Sequence, residues 1–311
     1  MKYFVMLGTL YFMFTRSALL GQTDAVLELV EERKIYKLFK GFDKESRFEA
    51  SGITATPEHF YIVFDNKDSI AKISSRKLEQ SKYNRLIGKG AKGFEGITYN
   101  PYHNSFYLLV ESEKQQGKHR GKIYEYTTEM KLLDHHVPDL VFKKANKGFE
   151  GIVYFQNDTR EYLLLLCEGN RCKSGKKGTT PGYGRITVYE KKRGKFSYIE
   201  TVKLPDTLHF TDYSGMDFKE GRLAVVSQES SRLWIGRLDT NRWKIQGKGK
   251  QYDFPRTGKG NIKYCNIEGV AWLLSDTVVT VSDKRKKKQP ERCVKKDQSI
   301  HIFKLHNRSL L

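Results

Sequence analysis

Three glutamates stand directly before a glycine and an aliphatic residue, in Phe94-Glu95-Gly96-Ile97, Phe149-Glu150-Gly151-Ile152 and Ile267-Glu268-Gly269-Val270. A further acidic side chain follows each of them at the end of the next apolar run: Glu111, Glu168 and Asp283. Two more blocks, Ser51-Gly52-Ile53 and Ser214-Gly215-Met216, carry serine in place of the glutamate and are followed by Asp65 and by Gln228-Glu229. Oxygen donors repeated in this way point to hard-cation chemistry, because Ca²⁺ accepts about six to eight oxygen ligands in flexible geometry. No His/Cys spacing in the chain suits Zn²⁺. The expected ligands are Glu95, Glu150, Glu268, Asp65, Glu168 and Asp283, and the expected ion is a divalent cation, calcium. The same carboxylates have a second, purely structural reading, in which a glutamate before glycine bonds backbone amides of a neighbouring repeat and locks the repeats together.

The elements that would position these groups are β-strands. The five blocks recur at intervals of 44 to 64 residues, the length of one supersecondary unit. Each unit reads as strand, turn, strand, loop, strand. Glu95 to Tyr99, the turn Asn100 to Asn104, Ser105 to Val110 and Lys122 to Tyr126 show it best, and no helical periodicity of any length appears. Repeated antiparallel units of this size predict an all-β, five-bladed β-propeller. Six blades is the alternative if the interval from Glu150 to Ser214 hides a degenerate unit. The last unit lacks an outer strand, and Lys34 to Lys40 is expected to supply it from the amino end and close the ring. In a propeller blade the start of the innermost strand and the end of the second emerge on one face, so the two sets of carboxylates should gather at one mouth of the central channel. Carboxylates so crowded need a cation, shared protons or basic partners.

The loops between second and third strands open on that face and are cationic in three units: Glu113 to Arg120 with Lys118 and Arg120, Arg171 to Lys177, and Lys284-Arg285-Lys286-Lys287-Lys288 running on to Lys296. A basic rim around an acidic mouth suits an anionic ligand, whereas the same runs as solvated loops would only aid solubility. His209, with Asp212, precedes the fourth inner strand and is a candidate general base for metal-bound water, a role a channel glutamate could also take, and an exposed turn histidine is the alternative reading of His209. No Gly-x-Ser-x-Gly elbow, His-Glu-x-x-His helix or phosphate-binding glycine loop is present.

The 311-residue chain carries 56 Lys+Arg against 36 Asp+Glu, a formal net charge of +20. Residues 1–21 have the layout of a secretory signal peptide, a retained anchor being the alternative, and 22–311 are expected to form a single propeller domain. No other segment is apolar for long enough to span a membrane as a helix. Four cysteines in an exported chain fit two disulfides, Cys167 with Cys172 and Cys265 with Cys293. Asn157 and Asn307 head glycosylation sequons. The expectation is a secreted, extracellular monomer that attracts polyanions such as acidic polysaccharide, phosphorylated matrix or anionic membrane, with nucleic acid an improbable partner outside the cell.

The Glu-Gly-Ile blocks followed by Leu-Leu-Val-Glu or Leu-Leu-Cys-Glu-Gly-Asn resemble the SdiA-regulated family and the phytase-like esterase family, both propellers of exported or periplasmic proteins. More distantly, the Glu-Gly start resembles the metal-ligand glutamate of calcium-dependent gluconolactonase and paraoxonase propellers. The resemblance spans residues 48–305 and implies that Glu95, Glu150 and Glu268 are channel ligands, with Asp65, Glu168 and Asp283 as their neighbours. None of the five blocks carries the inner-strand asparagine ligand of those lactonases. The function expected is a binding or matrix-interaction protein that takes a divalent cation and an anionic extracellular ligand on one face. The alternative is a cation-dependent hydrolase of phosphoester or ester/lactone bonds.

Overall fold

In the second strand of each repeat Val, Ile, Leu and Phe run together instead of alternating with polar residues, so that strand must bury both faces. A computed structural model, describing residues 25–88, 93–145 and 147–306, shows how. Five antiparallel sheets stand around one axis, and His59–Phe64, Ser105–Val110, Leu163–Cys167, Arg222–Ser227 and Thr277–Ser282 lie buried between the sheets on either side. Blade 1 is Ala50–Ala55, His59–Phe64, Ile70–Ser74 and Arg85–Ile87. Blade 2 is Phe94–Asn100, Ser105–Gln115, Lys118–Thr127 and Leu132–His136. Blade 3 is Phe149–Asn157, Arg160–Cys167, Arg185–Lys192 and Lys195–Lys203. Blade 4 is Gly215–Lys219, Arg222–Ser227, Arg232–Asp239 and Lys244–Asp253, with Ala25–Val26 added in parallel at its outer edge. The interval from Glu150 to Ser214 thus makes one blade, and the six-bladed alternative falls away.

Blade 5 joins Ile267–Leu274, Thr277–Ser282 and Ser299–Lys304 to an amino-terminal outer strand, so the ring closes as expected, but with other residues. The closing strand is Glu28–Lys34, not Lys34 to Lys40. Ile35–Leu38 instead forms a 3₁₀ turn whose Ile35 and Leu38 are buried in the core of blade 1. Ile35, Leu38 and Phe39 are spaced three and one apart, which suits a turn pressing one side inward better than an alternating strand. The Glu28–Lys34 strand carries four charged residues, Glu28, Glu31, Glu32 and Arg33, before Lys34, as exposed edge strands commonly do. Lys34 Nζ pairs with Asp297 at 2.7 Å, Glu32 pairs with Lys296, and His301 Nδ1 stands 3.4 Å from Glu32 Oε2. Glu31 accepts a hydrogen bond from the Leu78 amide at 3.1 Å, fastening the last blade to the first.

A second correction concerns the blade 2 loop expected from Glu113 to Arg120. Its two strands run on and meet in a tight turn at Gln116-Gly117, both with left-handed φ (48° and 79°). The segment is a protruding β-hairpin, with Lys118 exposed near its tip and Arg120 Nη1 3.8 Å from Asp139 Oδ1.

The repeat glycines permit the inner strands to approach. A Cβ at Gly215 would lie 2.3 Å from the Glu268 carbonyl oxygen, and one at Gly52 would lie 2.9 Å from Gly96 Cα. Since the obstacle is backbone, it cannot swing aside. Gly215→Ala is therefore expected to destabilise the protein by about 1–3 kcal/mol through overpacking, whereas Gly258→Ala, at an open position, should be nearly neutral. Denaturant unfolding of the two variants checks this, and equal midpoints would show that the collar expands freely.

Candidate functional site

Glu95, Glu150, Glu268 and Ser51 each sit in a register shift of the innermost ladder. Phe94 pairs with Val110 and Gly96 with Leu109, leaving Glu95 unpaired, and the other three blocks do likewise. Such a bulge bends the strand and redirects the extra residue's side chain. The residue ending each second strand is placed by a recurring backbone bond. Asp65, Glu168 and Asp283 donate their amides to the carbonyls of Glu49, Gly148 and Asn266, each two residues before an inner-strand Ser or Glu. Each acidic side chain therefore lies beside the first carboxyl or hydroxyl of its own blade.

The outcome is one cluster. The axial opening narrows to about 10 Å³ among the five blocks, roughly the space of a single water. Glu95 is held well above the ordinary carboxylate range by burial first, then by the charges of Asp65, Glu111, Asp283 and Glu168. Glu150 is raised by burial and by Glu95, Glu111, Glu168 and Glu268. Glu268 is raised by burial and Asp283, with Lys286 opposing. Burial also lifts Glu111 to about 7 against the Gly148 amide that bonds it, and Asp283 to about 7 against the Lys284 amide. Asp65 moves up through burial and Glu49. Oxygens of Glu111, Glu150 and Glu168 all lie within 4.8 Å of one another.

The locking role foreseen for the glutamates belongs to the serines. Ser51 donates to the Phe94 carbonyl and Ser214 to the Ile267 carbonyl (2.8 Å), each in the next blade. Apart from contact between the Glu111 and Glu150 carboxyls, no hydrogen bond or ion pair reaches Glu95, Glu150 or Glu268 among the described residues.

The basic rim is partly ordered. Lys286 Nζ reaches from blade 5 to Gln228 Oε1 of blade 4 at 2.9 Å. The Arg285 amide bonds Asp297, the Lys284 carbonyl accepts from Asn266, and the Cys265–Cys293 disulfide ties the loop below. Lys286, Lys287 and Lys288 are exposed, and Lys284 and Arg285 half-buried. In blade 3 the Cys167–Cys172 disulfide and Asn170 shape the loop. The buried Asn170 amide donates to the carbonyls of Gly178 and Phe210 and accepts from the Tyr183 amide and the Tyr213 hydroxyl. Arg171 is exposed and stacks on Tyr183, 3.6 Å from the ring centroid.

His209 is exposed, and Asp212 does not pair with it. Asp212 instead accepts from the Ser227 hydroxyl (2.5 Å) and the Glu229 amide (3.2 Å), and burial raises it to about 6. Asn157 ends the inner strand of blade 3 at the opposite, turn-bearing face, and Asn307 and residues 1–21 lie outside the described residues. Two members of the cluster were absent from the expected ligand set. Glu111 shared the repeat position of Glu168 and Asp283 and was legible there, whereas Lys147, which pairs with Glu168, lies in an interblade segment with no repeat to mark it.

No family model matches the chain, and no curated protein matches its sequence. Among solved structures it is similar to the glutaminyl cyclase of Myxococcus xanthus, at 11% identity over 91% of this chain and 98% of that one, with a TM-score of 0.53. The PQQ-bound form of aldose sugar dehydrogenase from Streptomyces coelicolor aligns at 11% identity over 88% and 98% of the chains with a TM-score of 0.47. A luciferin-regenerating enzyme aligns at 13% over 83% and 78% with a TM-score of 0.46. Likeness at this level to β-propeller enzymes shows the fold alone.

Carboxyls raised on folding make the native state bind protons that the unfolded chain has released. Their contribution to stability is complete below pH 4.5 and is lost as pH rises through about 7 and beyond. Glu32, lowered to about 2, contributes its full stability above pH 4.5 and loses it only as pH falls toward 2, so it does not shape the profile between pH 5 and pH 8. In chelator, the protein should therefore lose stability on the order of 1–3 kcal/mol from pH 5 to pH 8, read as a falling melting temperature. The Glu95→Gln/Glu150→Gln double variant should show a flatter profile. Parallel slopes for both proteins would contradict the assignment.

Proposed function

We propose that the protein is exported and uses this mouth to bind a divalent cation, calcium, together with an anionic extracellular ligand. The observation that carries the reading is the convergence of seven carboxyl groups on one opening, three of them unbonded by any donor, beneath a loop whose Lys286 charge is felt at Glu268 and Asp283. Desolvated like charges require compensation, and a hard cation held among these carboxyls, with an oxyanion drawn to Lys286, Lys287 and Lys288, supplies it. Both cysteine pairs are oxidised and no free cysteine remains, which fits an oxidising, extracellular setting. Among the described residues no helix is long and apolar enough to cross a membrane. The Glu-Gly-Ile motifs support kinship with the SdiA-regulated and phytase-like esterase propellers. Acidic polysaccharide or phosphorylated matrix is the ligand class that the +20 charge favours.

One feature supports a hydrolytic reading. Glu111 and Asp283 sit near 7, where a carboxyl can exchange a proton at working pH. Under that reading turnover of phosphomonoester, phosphodiester or lactone substrates appears and is abolished by chelator, and under the binding reading none appears.

Calcium should raise the melting temperature with the logarithm of its concentration above the dissociation constant, a stabilisation of about 2.7 kcal/mol at a hundredfold excess. The Glu95→Gln/Glu150→Gln variant should lose that rise. Absence of stabilisation at millimolar calcium would remove the cation from the reading. Replacing residues 284–288 by glutamine should bring elution from heparin to markedly lower salt, and unchanged retention would reduce that run to a solvated surface.

A further inference from the structure

Among the described residues only one trio of carboxylates brings its oxygens within 4.8 Å, and it lies off the axis, between blades 2 and 3: Glu111, Glu150 and Glu168. Ligand oxygens about 2.4 Å from a calcium ion lie at most about 4.8 Å apart, so the trio already has the span of a single coordination sphere. Two of its members are pinned by one residue. The Gly148 amide donates to Glu111 Oε1 at 2.8 Å, and the Gly148 carbonyl accepts from the Glu168 amide at 3.0 Å. Glu168 Oε2 is buried without a hydrogen-bond partner, and Glu150 takes no bond from any N–H donor. Of the other carboxyls around the mouth, Asp283 is engaged by the Lys284 amide and Asp212 by Ser227 and Glu229, and Glu95 and Glu268 form no second trio of this span among the described residues.

The remaining Glu168 oxygen, Oε1, is paired with Lys147 Nζ. Lys147 adjoins Gly148, its side chain is 44% exposed, and a cavity of about 50 Å³ opens beside it, lined also by Glu168 and Thr211. An ammonium offsets one of three negative charges, whereas a divalent ion offsets two and coordinates the oxygens that lysine leaves unbonded. We propose that Glu111, Glu150 and Glu168 form an off-axis divalent-cation seat, and that Lys147 is a tethered cation which occupies its edge until the metal displaces it. The inference rests on the reading of the mouth as a cation site, and adds the seat and its internal competitor.

Isothermal titration of the full-length protein with Ca²⁺ alone tests it. Glu111→Gln, which keeps an acceptor for the Gly148 amide, should weaken binding about tenfold or more, and Lys147→Met should tighten it about tenfold. Asp283→Asn, across the ring, should weaken it distinctly less than Glu111→Gln does. Equal losses in Glu111→Gln and Asp283→Asn would place the ion on the axis, and unchanged or weaker binding by Lys147→Met would remove the competitor. Either result overturns this inference while leaving a cation site. Absence of binding up to millimolar Ca²⁺ in both the wild type and Lys147→Met would overturn the underlying reading as well. Far-UV circular dichroism and melting in chelator establish folding, and Glu168→Gln takes the place of Glu111→Gln if that variant does not fold.

Discussion

The contact between inner strands at the glycine collar sets the terms for everything else in the molecule. Because Gly215 and Gly269 let one backbone rest on the next, with no room for a methyl group, the side chains just before them are forced toward a common axis. A wider ring would leave Glu95, Glu150 and Glu268 solvated and separate. The narrow one removes water from them and places each within range of the others' charge. Close backbone packing and the crowding of buried carboxyls thus arise from the same few residues. Burying like charges without donors is unfavourable, so the cluster calls for compensation from its surroundings.

The surroundings compensate only in part. Backbone amides at Gly148 and Lys284 each reach one carboxyl, Lys147 reaches Glu168, and Lys286 leans across from blade 5 to blade 4. These groups hold the outer carboxyls and leave the three inner glutamates without an N–H donor. Both disulfides sit in the loops that form this rim, beside the second-strand ends of blades 3 and 5, and they fix loop shape where the field of the mouth is strongest. Constrained loops on a rigid scaffold are the usual location of binding groups.

Much of this was legible in the sequence, because the period of the repeat fixes blade number and places equivalent residues on equivalent strand ends. Ser51, Glu95, Glu150, Ser214 and Glu268 were placed at inner-strand starts by that logic alone, and the cysteine partners followed from spacing. The parts that were not legible lack a repeat. Ile35 and Leu38 are apolar enough for a strand, yet their burial under blade 1 depends on Phe39 and Phe48, which the linear pattern does not place nearby. The hairpin at Gln116-Gly117 looked like a loop because its residues are polar, although two left-handed positions make it a tight turn. Lys147 could be recognised only through its ion pair, and the bulges that aim the glutamates inward leave no mark on composition.

Ring closure and the rim meet in one segment. The loop that carries Lys284 to Lys288 ends in Lys296 and Asp297, the partners of Glu32 and Lys34 on the closing strand. The two electrostatic systems nevertheless respond to different conditions. The His301 ring facing Glu32 outweighs burial and, with the Lys296 ammonium that bonds it, holds Glu32 near 2, so the closure pairs contribute above pH 4.5 and persist until the solution is strongly acidic. The mouth carboxyls, raised by burial and mutual repulsion, change state near neutrality and above. A change of cation or proton occupancy at the mouth therefore acts on the carboxyls and the loops above them while the Glu32–Lys296 pair keeps the ring shut. A circular fold can thus carry a strained acidic centre without lending that strain to its seam.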